Sequence, residues 1–340
     1  MEKVIIIAEA GVNHNGNIEL AKQLVDIASD CGADYVKFQT FKTELIVDKS
    51  AQKAHYQIVN DGESSSQYEM IKKLELPFEN FIYLQKYCHG KGIKFLTTLV
   101  DLYSLGRVNE LNLDFIKIAS GEITNIPFLR QVAMIKKPII LSTGMSNLGE
   151  IENALKVLTS RLLSINDITI LHCNTDYPTA FEDVNLKAMN TIREAFKVKV
   201  GYSDHTLGIE VSLAAVAMGA SVIEKHFTIN KNMKGPDHKC SLDPDELSLL
   251  VNSVRNIEKA LLGDGRKEPS NSESKNKVIV RKSLFTSKKI SQGEILTEDC
   301  LIVKRPGDGM SSNDIDLVIG KSVNSDLPEG HKINYKDIVW

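Results

Sequence analysis

The sequence predicts a (β/α)8 barrel followed by a small second domain, and three observations lead to this fold class. The chain has 340 residues, which exceeds the usual size of one domain. Over roughly 260 residues, a length typical of such barrels, an apolar run, a polar turn and an amphipathic helical stretch follow one another eight times. After Leu262 this pattern ends in a stretch rich in glycine, serine and charged residues.

The predicted strands are short runs of β-branched and apolar residues bounded by polar turns. They lie at 4–9, 35–39, 94–98, 115–119, 138–142, 169–174, 198–203 and 221–227. Helices fall between them, and the last helix is predicted at about 245–262. A doubly wound open sheet is the alternative, but the segment after the first strand, GVNHNG, lacks the GxGxxG spacing that such sheets usually carry.

Three segments follow from this reading: a barrel domain at 1–263, a linker at 264–277 and a small domain at 278–340. The small domain has too few residues for a large core, so we expect it to dock on another surface. Residues 41–77 form the longest departure from the barrel pattern. An insertion of this size on the active face of a barrel usually shapes substrate recognition.

The composition is that of an ordinary globular protein, with 42% hydrophobic and 25% charged residues. A net charge of −3 gives no reason to expect a nucleic acid or an anionic membrane as a partner. The first apolar run is too short for a signal peptide or a membrane span. The five cysteines have no paired spacing, which indicates reduced thiols, and we therefore expect a cytoplasmic protein.

Two histidines stand at corresponding ends of the last two predicted strands. His205 follows one strand and His226 lies at the end of the next, so parallel strands joined by a crossover helix would bring the two imidazoles together. Two neutral imidazoles can bind a divalent ion that keeps open positions for substrate oxygens. The alternative is a pair of core or capping histidines, but polar residues precede both of them where a structural strand end would be apolar.

The other predicted strands also end in polar side chains, and in a barrel these ends share the active face. The set comprises Glu9, Lys37, Gln39, Thr97, Thr98, Lys117, Ser120, Glu122, Ser142, Thr143, His172, Asn174, Tyr177, Ser203 and Glu224. A buried ammonium is costly without a compensating charge, so the two lysines predict a phosphate or carboxylate ligand.

The motifs resemble those of the sialic acid (N-acetylneuraminate) synthases and their legionaminate and pseudaminate relatives. They are AEAGVNHNG, VKFQTFK, IKIASGEITN, ILSTGM, HCNTDYPT, GYSDHTLG, IEKHFT, GPDHK and KRPG. The resemblance covers nearly the whole chain, and the segment from Val278 is similar to the antifreeze-like (SAF) domain of that family. It implies an enzyme that joins phosphoenolpyruvate to an N-acylated mannosamine-type sugar, releases phosphate and uses a divalent ion, Mn²⁺ or Mg²⁺.

The resemblance also implies roles for individual residues. His205 and His226 would be the metal ligands, and Glu122 would handle a proton or a water molecule. The residues that would hold phosphoenolpyruvate are Lys37, Thr98, Lys117, Ser120, Ser142, Asn174 and Ser203. Those that would contact the sugar are Glu9, Gln39, Tyr177, Asp237 and, from the tail domain, Arg305. The chain departs from the family after the third strand, where a turn proline is replaced within Thr97–Val100, and in the position of the asparagine in HCNTDYP.

On these grounds we expect an N-acetylneuraminate synthase that uses N-acetylmannosamine. The alternative is a legionaminate synthase that uses 2,4-diacetamido-2,4,6-trideoxymannose. A Schiff-base aldolase with Lys37 or Lys117 as the amine nucleophile is a rival on the same fold, and a non-catalytic binding protein is another. The resemblance further implies a homodimer in which each tail domain covers the barrel of the partner subunit.

Overall fold

The computed structural model describes residues 3–61 and 65–340, and in it eight parallel strands form a closed barrel. The strands are β1 (Ile5–Gly11), β2 (Tyr35–Thr40), β3 (Lys94–Leu99), β4 (Ile116–Ile118), β5 (Ile139–Ser142), β6 (Ile168–His172), β7 (Lys199–Asp204) and β8 (Val222–His226). Each strand pairs with its sequence neighbour, and β1 also pairs with β8, with Glu9 opposite His226. This closure confirms the predicted barrel and rules out the open sheet.

Helices surround the barrel. They are α1 (Ile18–Asp30), α2 (Thr43–Ile46), α3 (His55–Asp61), α4 (Gln67–Leu74), α5 (Phe78–Lys91), α6 (Leu102–Gly106), α7 (Ile126–Val132), α8 (Leu148–Leu158), α9 (Ala188–Phe196), α10 (Glu210–Ala217) and α11 (Pro244–Ala260). Among them, α1, α4, α6, α7, α8 and α11 begin at a polar side chain that caps the helix. The side chain of Asp243 accepts a hydrogen bond from the main-chain N–H of Glu246, and the side chain of Glu246 accepts one from the main-chain N–H of Asp243. The helix α11 therefore starts with a capping box. The bounds of α11 lie within two residues of the predicted last helix.

The interior of the barrel has two layers, because side chains alternate in direction along each strand. Toward the amino ends of the strands, one layer is apolar and contains Ile7, Tyr35, Leu96, Ile140, Leu171 and Val222. Two residues further along their strands, Glu9, Lys37 and Glu224 belong to the layer above it, and all three are buried. The apolar layer therefore closes the barrel beneath a charged layer, which faces the carboxyl ends of the strands.

The insertion at 41–77 is largely helical where the structure describes it, since α2, α3 and α4 lie within it. A carboxylate oxygen of Glu75 accepts hydrogen bonds from the main-chain N–H of Thr43 at 3.0 Å and from its hydroxyl at 2.6 Å, which ties α2 to the end of α4. Gly16, with a φ of +70°, approaches α4 so closely that a Cβ there would lie 2.3 Å from the carbonyl oxygen of Lys73. Two inserted helices, α2 and α4, are thus joined to each other, and α4 packs closely against the loop that follows β1.

The chain divides into two compact units, one ending at Leu262 and the other beginning at Gly263. The second unit has its own core around Leu284, Ile290 and Met310, and it contains an antiparallel pair formed by β9 (Ser283–Thr286) and β10 (Leu301–Lys304). It also contains α12 (Asn271–Val280) and α13 (Ile315–Val318). Part of the segment predicted as a linker, 264–277, is therefore helical, and its predicted limits stay a prediction.

Two further expectations concern the chain as a whole. The five cysteines all lie among the described residues, and each of them is free. Within 3–61 and 65–340, no helix is both long enough and apolar enough to cross a membrane.

Candidate active site

A cavity opens at the carboxyl ends of the barrel strands, and most of the predicted site residues line it. These are Glu9, Lys37, Gln39, Thr98, Lys117, Ser120, Ser142, Tyr177, Ser203, His205, His226 and Asp237. The cavity has a volume of about 270 Å³ and includes side chains from the insertion. Residues far apart in the sequence meet here because parallel strands of a barrel all end on the same face.

A cluster of four buried charged groups forms the floor of the cavity. The ammonium of Lys37 lies 2.8 Å from Glu224 Oε2 and 3.3 Å from Glu9 Oε2, and that of Lys117 lies 3.6 Å from Glu224 Oε1. All four side chains are at most 6% exposed. The two lysines therefore have compensating charges within the chain itself, and their burial alone does not require a bound anion as the sequence argument assumed.

The environment shifts the pKa values of all four members of this cluster. Burial acts to lower the pKa of Lys37, but the attraction of Glu224 and Glu9 outweighs it and raises this pKa. Burial raises the pKa of Glu9 to about 7 and lowers that of Lys117 to about 8. Burial also acts to raise the pKa of Glu224, but the attraction of Lys117 and Lys37 outweighs it and brings this pKa down to about 2. Near neutral pH, Glu224 is thus a fixed negative charge, while Glu9 and Lys117 can exchange protons.

Glu224 is the important residue that the sequence analysis did not assign to the site, although it appeared among the polar strand ends. Its oxygens also accept a hydrogen bond from Ser203 Oγ at 3.0 Å. The available signal was its position two residues before His226 on the same strand, which points both side chains into the barrel.

The two histidines lie side by side, with their ring centroids 5.6 Å apart. Nδ1 of His205 lies 2.5 Å from the carbonyl oxygen of Asn174. Because a carbonyl can only accept, Nδ1 carries the proton, and Nε2 is unprotonated, with Ser203 Oγ 3.4 Å from it. The Tyr177 ring packs 4.2 Å from the His205 ring and 5.8 Å from the His226 ring, centroid to centroid.

Both imidazoles are neutral at physiological pH. Burial lowers the pKa of His205 to about 4, and burial together with repulsion from His205 holds the pKa of His226 well below its usual value. Nδ1 of His226 is buried and has no hydrogen-bond partner. Neutral imidazole is the form that binds metal ions, so this pair suits a divalent cation.

A second buried ion pair lies on the outer side of the same strands. Lys225 Nζ is 2.9 Å from Asp204 Oδ2 and donates at 2.8 Å to the carbonyl oxygen of Thr206. Asp204 also accepts from the N–H of Thr206 at 2.9 Å and from Ser212 Oγ at 2.6 Å. The residues on both sides of His205 are therefore clamped, which positions its ring from behind.

Three predicted site residues are not among those lining the cavity. Glu122 is half-buried in a short helical turn after β4, where Asn125 Nδ2 donates to it at 2.6 Å and burial raises its pKa. The side-chain amide of Asn174 donates to the main-chain carbonyl oxygen of Asp183, and the main-chain carbonyl oxygen of Asn174 accepts from Nδ1 of His205 and so orients its ring. Arg305 belongs to the second unit, where its Nε donates at 3.0 Å to a main-chain carbonyl, so its predicted contact with the sugar stays a prediction.

The cavity also has an apolar side that sequence reasoning did not anticipate. Six hydrocarbon side chains pack together there and line the cavity, and we call them the apolar wall: Val12, Phe41, Ile46, Ile71, Leu74 and Val100. Four of them come from the insertion at 41–77, which departs from the repeating pattern of strands and helices in the rest of the barrel. Tyr56 of α3 also lines the cavity, and its ring centroid lies 5.0 Å from that of Tyr177, with the two ring planes tilted by 38°.

Comparison with known proteins identifies the family. A NeuB family model matches residues 24–267, and a SAF domain model matches residues 281–339. The chain belongs to the NeuB family. It is similar to two N,N'-diacetyllegionaminic acid synthases, from Campylobacter jejuni (52% identical, 98% of this chain, 99% of the relative) and Legionella pneumophila (45%, 98% and 94%).

A solved structure extends the comparison. The N-acetylneuraminic acid (sialic acid) synthetase of Leptospira borgpetersenii, in complex with citrate, is 34% identical with a TM-score of 0.70. The match covers 81% of this chain and 90% of that protein. The resemblance drawn from the motifs of this NeuB family chain is thereby confirmed, as is the SAF domain at its carboxyl end.

The clamp behind His205 generates a prediction for stability. We expect Lys225→Met to lower the free energy of unfolding by about 3–5 kcal/mol, because the substitution leaves Asp204 as a buried charge without its cation. Lys156→Met is the matched control, since the Lys156–Glu152 pair at 2.8 Å is exposed and worth about 0.5 kcal/mol. Chemical denaturation of both variants measures the difference, and equal effects would show that Asp204 does not need Lys225.

Proposed function

We propose that this NeuB family chain is an N,N'-diacetyllegionaminic acid synthase that condenses phosphoenolpyruvate with 2,4-diacetamido-2,4,6-trideoxymannose. The observation that carries the proposal is the 52% identity, over 98% of the chain, to a relative of that name. The cavity supports it, since the predicted anion-binding and histidine residues converge there. N-acetylneuraminate synthesis from N-acetylmannosamine is the second candidate, supported by the 34% identity to a sialic acid synthetase.

The proposed reaction needs an anion subsite, and the cluster at the cavity floor supplies one. Lys37 and Lys117 would hold the phosphate and carboxylate groups, with hydroxyl donors from Ser120, Ser142 and Ser203. Lys117 Nζ donates to Ser142 Oγ at 2.7 Å, which orients the ammonium toward this subsite. The fixed negative charge of Glu224 between the lysines limits how tightly the anion binds, which helps the phosphate to leave.

In the reaction, C3 of phosphoenolpyruvate attacks the aldehyde carbon and forms the new carbon–carbon bond. Water then adds at C2, and cleavage of the carbon–oxygen bond releases phosphate. A carboxyl group with a raised pKa suits the proton transfers at C2, and Glu122 is our proposed candidate. To act there, its carboxyl group would have to turn from Asn125, to which it is bonded, into the cavity. Glu9, Gln39, Tyr177 and Asp237 would contact the sugar.

We propose that His205 and His226 bind a divalent ion, Mn²⁺ or Mg²⁺. The donor set fits such an ion, because both imidazoles are neutral and Nδ1 of His226 has no other partner. No group of three or more His, Cys, Asp or Glu side chains in the described part of the chain could hold a metal, so substrate and water oxygens would complete the coordination. When bound, the ion would polarise the aldehyde oxygen.

The Schiff-base aldolase remains a distinct candidate because of one observation, the lowered pKa of Lys117. An amine that is partly neutral near pH 8 can act as a nucleophile. Reduction with borohydride in the presence of the keto acid distinguishes the two mechanisms. A covalent adduct on Lys117 would support the aldolase, whereas activity that depends on a divalent ion and leaves no adduct supports the synthase.

The first prediction for activity concerns the metal ligands. We expect His205→Ala and His226→Ala each to abolish metal-dependent turnover of phosphoenolpyruvate while the barrel stays folded. His89→Ala is the control, since this exposed histidine lies in α5, away from the cavity. Phosphate release is measured with chelated protein and with added Mn²⁺, and a variant that keeps the wild-type rate without metal would contradict the assignment.

The second prediction is a pH dependence. As the pH rises through about 8, Lys117 loses its proton and its attraction for phosphoenolpyruvate, so KM for this substrate should rise, by about tenfold per pH unit at most. Lys117→Arg keeps the charge and should flatten the profile between pH 7.5 and about 9.5, because guanidinium does not titrate there. Lys94→Arg, at an exposed position, should leave the wild-type profile unchanged. A wild-type KM that is constant over this range would remove Lys117 from the anion subsite.

We further propose a cytoplasmic homodimer in which Arg305 of each tail domain completes the sugar site of the partner subunit. The non-helical residues 263–270 have a root-mean-square reach of roughly 15 Å as a flexible chain, a length compatible with either barrel, and the family resemblance favours the partner. Heterodimers of wild type with an Arg305→Ala, His205→Ala double variant test this. A swapped dimer has two singly damaged sites and almost no activity, whereas recovery of half the wild-type activity would exclude the swap.

A further inference from the structure

We infer that the apolar wall selects sugars that carry a methyl group, rather than a hydroxymethyl group, at C6. The wall comprises the six packed side chains Val12, Phe41, Ile46, Ile71, Leu74 and Val100, all of which line the cavity. The inference rests on the proposed function. The two candidate sugars differ at C4 and at C6, and the wall would read the second difference, since 2,4-diacetamido-2,4,6-trideoxymannose lacks the C6 hydroxyl of N-acetylmannosamine.

The wall stands on one side of the cavity, and the groups proposed for the chemistry stand mainly on the other. Val12 follows β1, Phe41 follows β2 and Val100 follows β3, while α4 contributes two more side chains. Lys117, Ser142 and His226 lie on β4, β5 and β8 and His205 follows β7, while Lys37 lies on β2, four residues before Phe41. A sugar whose aldehyde reaches the histidines therefore extends its far end, which includes C6, toward the wall.

The wall is held in place before any sugar binds. Glu75 bonds both the N–H and the hydroxyl of Thr43, which joins the two helices that carry Ile46, Ile71 and Leu74. Phe41 and Leu74 are each only 7% exposed, so these side chains are already packed and cannot turn away to admit water. A preorganised surface of this kind discriminates between ligands by their chemistry, because it does not adapt to them.

The chemical basis of the selection is the hydroxyl group. A C6 hydroxyl placed against these hydrocarbon side chains loses its hydrogen bonds to water and gains none from them, whereas a C6 methyl buries apolar surface. Apolar pockets that meet an added hydroxyl usually discriminate by up to about 100-fold. We therefore expect the specificity constant to favour the 6-deoxy sugar by about 10- to 100-fold.

The test uses two sugars that differ only at C6. They are N-acetylmannosamine (2-acetamido-2-deoxymannose) and its 6-deoxy form, 2-acetamido-2,6-dideoxymannose. Steady-state kcat/KM is measured for each with saturating phosphoenolpyruvate and Mn²⁺. A preference of about tenfold or more for the 6-deoxy compound is the expected result. Equal specificity constants, or a preference for the hydroxylated sugar, would overturn the inference.

Two substitutions on the wall locate the effect. Val100→Thr and Ile71→Thr introduce a hydroxyl that can pair with the C6 hydroxyl, so each should reduce the preference several-fold. Val211→Thr is the matched control, because this partly buried valine of α10 packs against the barrel and does not line the cavity. The ratio of kcat/KM for the two sugars, measured on one protein preparation, does not depend on the fraction of folded protein. Partial unfolding of a variant therefore cannot imitate the effect. An unchanged ratio in both wall variants would contradict the role of the wall.

A third aldehyde, 2,4-diacetamido-2,4,6-trideoxymannose, separates this inference from the function it rests on. If none of the three sugars is condensed with phosphoenolpyruvate, the proposed function fails and the inference fails with it. If all three are condensed without any preference at C6, the function stands and only the inference is overturned.

Discussion

The interaction on which this site depends is the pair of contacts that Glu224 makes with Lys37 and Lys117. Two ammonium groups at the mouth of a closed barrel would be too costly to bury without an opposite charge beside them. Glu224 supplies that charge at 2.8 Å and 3.6 Å, and Glu9 adds a second, titratable carboxyl group. Because of this balance, the cavity keeps its cations in place while it is open to an anionic substrate.

The barrel supports this cluster from two directions. Beneath it, the apolar layer formed by residues such as Leu96 and Ile140 fills the interior, so the charges lie above a packed surface and the desolvation that shifts their pKa values is maintained. Behind it, the buried Asp204–Lys225 pair fixes the ends of β7 and β8 from the helical side. The same two strands thus present one charged face to the substrate and use the other to hold their own position.

The cavity combines this charged floor with the apolar wall, and the two parts suit different portions of one reaction. Phosphoenolpyruvate is small and strongly anionic, whereas an acylated deoxy sugar has methyl groups that gain from an apolar surface. The NeuB family barrel carries the first part on its strands, while the second depends mainly on an insertion between β2 and α5. On the proposed function, the anion-binding part would belong to the barrel strands, and the apolar side of the sugar site could vary with the insertion.

The sequence by itself determined the barrel, with strand bounds within two residues of those observed, because strand periodicity is a local property. The polar residues at the strand ends also predicted that Lys37, Lys117, Ser142 and His226 share the active face of the barrel. Only the tertiary structure decided which of these groups meet: the pairing of Glu224 with both lysines joins β2, β4 and β8, and the apolar wall joins three loops with α2 and α4. It also decided that Glu122 lies outside the cavity lining, since the short helical turn after β4 directs its carboxyl group to Asn125. Contacts of this kind depend on strand stagger and loop packing, which are set by the closed barrel as a whole and leave no periodic trace in the chain.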